Sequence, residues 1–132
     1  MPAVRKPSAK KQNREAAITF LELAAGGSVR EAFDRYVAPD FRHHNPYFRG
    51  DANALAAAMA SNAVENPGKV IEVRRSLADG NLVAVHARVR LRPDSADVAV
   101  IHIFRFKDGR IVEMWEASQA MPGQSVNELG MF

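Results

Sequence analysis

Between Asp97 and Gln119 the chain reads DVAVIHIFRFKDGRIVEMWEASQ, and this stretch limits the possible folds more than any other. Val98, Val100, Phe104 and Phe106 alternate with other side chains along one arm, Ile111, Val112 and Trp115 mark the other, and Lys107-Asp108-Gly109-Arg110 joins them. Alternation of period two on both sides of an Asp-Gly turn specifies a β-hairpin.

Two registers are open to that hairpin. A two-residue Asp108-Gly109 turn puts His102 opposite Trp115, whereas a type I turn with Gly109 in the left-handed conformation adds a bulge and puts His102 opposite Met114. The bulged register is preferred here. It gathers Val100, His102, Phe104, Val112, Met114 and Glu116 on one apolar face carrying one imidazole and one carboxylate, and sends Arg105, Glu113 and Trp115 to the other. An apolar wall with a few convergent polar groups is how small-molecule pockets are lined, and a hydrogen-bonded His–Glu pair in a half-buried sheet gives the same pattern.

The chain has 132 residues, 47% hydrophobic and 25% charged, which suits one soluble globular domain. No apolar run reaches the roughly 20 residues of a membrane helix, and the N-terminus lacks the apolar core of a secretion signal, so a cytoplasmic protein with no membrane partner is expected. The absence of cysteine excludes disulfides, thiolate nucleophiles and thiolate metal sites. A pI near 9.6 raises the question of nucleic acid. The excess charge is local, however: without Arg5, Lys6, Lys10, Lys11 and Arg14 the body has two more acidic than basic residues. Residues 1–12 therefore read as a disordered basic tail and 13–132 as the domain, and no aromatic series supports a nucleic-acid partner.

From Asn13 to Ala25, Ala17, Phe20, Leu21 and Ala24 recur at helical spacing until Gly26-Gly27. Ser28 and Glu31 have the spacing of a capping box for a second, short helix whose stripe continues to Val37 and stops at Pro39. Asp40 to Gly50, DFRHHNPYFRG, reads as a rigid polar loop, either a pocket rim or a solvated turn anchored by Tyr47 and Phe48. Asp51 caps a third helix that runs to about Glu65, before Pro67-Gly68. Then come VIEVRRSL, the Asp79-Gly80 turn, LVAVHARVRL, the Pro93-Asp94 turn and the hairpin, four consecutive antiparallel strands. His86 lies opposite the apolar face of its strand, beside Arg88 and Arg90. The expected class is α+β: three N-terminal helices packed on a strongly curved antiparallel β-sheet, a cone-shaped barrel with an internal pocket.

This order of elements, with HHNP at His43 to Pro46, IFRFKDGRIVEMWE from Ile103 to Glu116 and the ending NELGMF, resembles the nuclear transport factor two-like superfamily, and within it the SnoaL-like polyketide cyclase branch. The resemblance covers nearly everything after Asn13. The steroid isomerases of the superfamily use a tyrosine donor, a carboxylate base before the loop proline and a protonated aspartate; the matching positions here are Phe20, Asn45 and His102. Phenylalanine cannot donate a hydrogen bond and an amide cannot take up a proton, so that activity is not expected.

The cyclases fit better, and what they imply is acid–base closure of an aldol type without metal or cofactor on a small apolar carbonyl compound. Glu116 stands where related sequences carry aspartate after Trp, and Met114 replaces a histidine. The resemblance implies Glu116 as base, His102 on the oxygen, and His44 and Asn45 orienting the carbonyl. Phe20, Phe104, Met114, Trp115, Tyr47 and His86 are the candidates for binding the ligand. A non-catalytic ligand-binding or interaction module of the same fold stays open beside the enzyme, as does a metal set of His44, His102 and Glu116. The resemblance also implies a homodimer through the sheet.

Overall fold

The computed structural model describes residues 8–132; Met1–Pro7, most of the expected basic tail, lie outside the described residues. Helix α1 (Ala9–Ala25) starts four residues before the expected domain boundary at Asn13, because the Ser8 side chain accepts a hydrogen bond from the Lys11 N–H and caps the first turn. Its buried stripe is Ala17, Phe20, Leu21 and Ala24, with Asn13 at the N-terminal end, and Gly27 turns the chain at φ 92°. Helix α2 (Val29–Tyr36) follows at once. The expected capping box does not form: Ser28 makes no side-chain cap, and Glu31 instead accepts from Arg35 at 3.2 Å.

Helix α2 also stops earlier than its apolar stripe suggests, and here the structure departs most from the sequence reading. Val37–His43 is a strand, β1, in place of the last helical turn and the start of a loop. Helix α3 (Ala52–Glu65) begins at Asp51, whose carboxylate accepts from the Ala54 N–H at 3.0 Å. Strands β2 (Val70–Asp79), β3 (Leu82–Arg90), β4 (Val98–Lys107) and β5 (Arg110–Ala120) complete the chain.

The sheet order is β1-β5-β4-β3-β2. Strands β2 to β5 are antiparallel neighbours as expected, but β1 pairs with β5 in parallel, so the sheet is mixed, and it does not close into a barrel. Pro39 is tolerated because β1 is an edge strand whose register shifts between Val37 and Arg42. Both expected hairpin registers are corrected. Lys107 pairs with Arg110 around a two-residue turn, with Asp108 at φ 51° and Gly109 at φ 78°, the left-handed pair of a type I′ turn. The bulge lies further on, at Val112, and brings His102 opposite Glu116. A shift of two residues from the preferred register leaves Val100, His102, Phe104, Met114 and Glu116 on their expected face, while the bulge lets Ile111 enter the core opposite Phe106.

The core lies between the helices and the inner sheet face. Phe20, Leu21, Phe41, Val83, Val85, Phe104, Phe106, Ile111 and Met114 form it. Phe20 meets Phe33 and Phe104 edge-on at 5.3 and 5.9 Å between ring centres. Among the described residues, no helix is long and apolar enough to cross a membrane.

Candidate functional site

Helix α3 meets the rest of the molecule mainly through Leu55, with Met59 packed beside it, and it is built largely from alanine. Alanine favours the helix without filling the space beneath it. A cavity of about 690 Å³ results, open to solvent and lined by Leu21 and Ala24 of α1, by Ala54, Leu55, Ala58, Met59 and Asn62 of α3, and by Ile71, Val89 and Val100 of the sheet. That volume falls in the range of small-molecule pockets.

Three polar side chains meet on its wall. His102 and Glu116 are direct neighbours across β4 and β5, and His102 Nε2 lies 3.1 Å from Glu116 Oε2. The Asn45 side-chain amide donates to the other carboxylate oxygen, Oε1, while its own carbonyl accepts from the Tyr47 N–H at 3.0 Å. Asn45 reaches Glu116 because β1 runs alongside β5: His43 pairs with Met114, and the His44 N–H donates to the Met114 carbonyl at 3.1 Å. His43, a residue the sequence reading passed over, pins the loop. Its Nδ1 accepts from the Asn45 N–H and its Nε2 donates to the Arg49 carbonyl.

The His102 hydrogen bond holds the Glu116 carboxyl below its ordinary pKa; burial works the other way, and the Asn45 amide and His43 add to the lowering. His102 Nδ1 is buried with no partner, and the ring stacks on Phe104 at 5.8 Å. An unpaired lone pair costs less there than an unpaired N–H, so the proton belongs on Nε2, facing Glu116.

The other candidates fall elsewhere. Phe20, Phe104 and Met114 are fully buried in the core and do not line the cavity. Tyr47 is 84% exposed; its neighbour Phe48 lines the cavity instead. His44 and Trp115 lie on the outer face of the sheet, stacked at 5.2 Å, and His44 Nε2 is 2.7 Å from Glu113 Oε2. Glu113 is held below its ordinary pKa first by His44 and then by Arg105. His44, His102 and Glu116 therefore do not gather as metal ligands. His86 is also on the outer face, against Arg75 and the Phe132 ring, with its pKa lowered by burial and then by Arg75 and Arg74. Lys69, in the connection between α3 and β2, lines the cavity with Asn62 and Glu65.

An open α+β cone with a polar pair on its inner wall defines a class of pocket proteins. The SnoaL-like domain model matches residues 17–114, and the chain belongs to that family, with the nuclear transport factor two-like fold. Solved structures agree on the fold. A protein from Jannaschia sp. CCS1, provisionally named a SnoaL-like polyketide cyclase, is 20% identical with a TM-score of 0.72, over 88% of this chain and 91% of that one. IdmH from Streptomyces antibioticus, provisionally named a polyketide cyclase, is 20% identical with a TM-score of 0.68, over 81% and 91%. A protein of unknown function from Burkholderia xenovorans LB400 is 18% identical with a TM-score of 0.72, over 89% and 91%. The comparison with curated proteins gives no match.

Proposed function

We propose that the chain is an enzyme of acid–base chemistry that removes a proton from a carbon next to the carbonyl of a small apolar compound, in an aldol-type cyclisation or a related step. The observation that carries this is the Glu116 carboxylate on the cavity wall, held from both sides by His102 and Asn45. Two fixed hydrogen bonds aim the carboxylate and keep it ionised. A base of that strength suits carbon acids whose enolate is already delocalised. Glu116 takes the proton, the enolate carbon attacks a second carbonyl to form the new C–C bond, and the resulting alkoxide takes that proton back from Glu116. His102 orients the base, and Leu55, Met59, Ile71 and Phe48 receive the apolar rings. A second copy of the chain docks on the outer sheet face, where Ile101 and Ile103 are exposed; sedimentation as a monomer at micromolar concentration would count against this.

The second reading, a binding module without turnover, is favoured by one fact: each oxygen of Glu116 already has a hydrogen-bonding partner in the protein, which weakens the carboxylate as a base. Deuterium exchange separates the two. Bicyclic ketones, 2-tetralone first, are incubated in D₂O and followed by NMR. The enzyme reading expects exchange next to the carbonyl well above buffer, reduced about 10²- to 10⁴-fold in Glu116→Gln, the range of general-base catalysis. Binding of the ketones without exchange would establish the module.

A further inference from the structure

Lys69 is the only lysine or arginine among the described residues that line the cavity. It sits between α3 and β2 and is fixed at both ends: its N–H donates to the Asn66 carbonyl at 3.0 Å and its Nζ to Asn62 Oδ1 at 2.9 Å. An ammonium has three donors, and a neutral amide takes only one of them. Glu65 and Glu116 line the same cavity, yet Lys69 forms no ion pair among the described residues. The side-chain partners of Glu116 are His102 and Asn45 rather than Lys69. Burial already lowers the Lys69 pKa, and the charge of Glu116 offsets this only in part. A half-buried cation with open donors at the wall of an open cavity is placed to exchange water for an anionic ligand oxygen.

We propose that Lys69, steadied by Asn62, recognises an anionic oxygen of the ligand, which narrows the substrate class to apolar carbonyl compounds that carry a carboxylate or an ionised enol. This rests on the cavity being the ligand site, as proposed above. The ligand then spans the cavity, with its acidic oxygen at Lys69 and its reacting carbon toward Glu116.

Two probe pairs test it by isothermal titration. 2-Naphthoate against 2-naphthamide reports on a carboxylate, and 2-hydroxy-1,4-naphthoquinone, ionised at neutral pH, against its 2-methoxy ether reports on an enolate. At least one anion is expected to bind about tenfold or more tightly than its neutral partner, the scale of one charge-assisted hydrogen bond. The preference is expected to vanish in Lys69→Met and persist in Lys69→Arg, with thermal melting confirming that both variants fold. Equal binding of anion and neutral partner would overturn the inference and leave the cavity as a ligand site, as would a preference that survives in Lys69→Met. Failure of all four probes to bind at millimolar concentration would count against both.

Discussion

Phe104→Ala separates a core residue from a ligand-binding one. The ring is fully buried, meets Phe20 edge-on at 5.9 Å and supports the His102 imidazole at 5.8 Å. Truncating a buried phenylalanine costs about 3–5 kcal/mol, and two lost ring contacts place this site in the upper half of that range. Domains of this kind have roughly 5–15 kcal/mol in hand, so the variant folds but is marginal. For a chain of this length each kcal/mol shifts Tm by roughly 3–6 °C, which gives a fall of about 12–30 °C. Urea unfolding followed through the single tryptophan, Trp115, reads the free energy directly. Met59→Ala is the contrast: Met59 lines the cavity and is only partly buried, so its truncation should cost about 1 kcal/mol and act mainly on ligand affinity. A loss below 1 kcal/mol for Phe104→Ala, with a large loss of ligand affinity, would refute the packing argument and return Phe104 to the ligand.

Two further measurements follow from local geometry. Asp51→Ala removes a cap that is made and should cost about 1 kcal/mol in urea unfolding, whereas Ser28→Ala removes a side chain that caps nothing and should change stability by under about 0.5 kcal/mol. Because the folded pKa of Glu116 lies below its ordinary value of 4.5, its ionised form stabilises the fold above that value, and the contribution is lost as pH falls through the folded pKa. The stability difference between the native chain and Glu116→Gln should therefore shrink on acidification below about pH 4.5, and a constant difference would count against the His102 clamp.

What could be read from the sequence was what local patterns encode. The stripe on α1, the Asp51 cap, the Asp108-Gly109 turn, the turn at Gly80 (made by Gly80-Asn81, one residue on from the expected Asp79-Gly80) and the shared face of His102 and Glu116 all follow from periodicity and turn chemistry. Strand β1 did not. Its seven residues include Pro39, which reads as a helix stop, and its pairing with β5 is a parallel contact about seventy residues away in sequence. Without that strand, adjacent His44 and Asn45 looked like one polar cluster. Just past the strand's end the alternation started by Phe41 and His43 carries on, turning His44 outward while Asn45 faces inward. Lys69 was invisible for another reason: it lies in a connection with no periodicity, and only the fold brings it to the cavity.

The pairing of His43 with Met114 gives the molecule a ruler. Asn45 and Glu116 each lie two residues beyond that pair, on parallel neighbours, so equal steps along the two chains bring amide and carboxylate together. A residue inserted into β1 would spoil the match and offer the wrong side chain to Glu116. Changes in α3 or around Lys69 would leave the ruler untouched. The scaffold thus divides its freedom unevenly: what the cavity accepts can drift through one alanine-rich helix, while the aim of the carboxylate is locked to strand register.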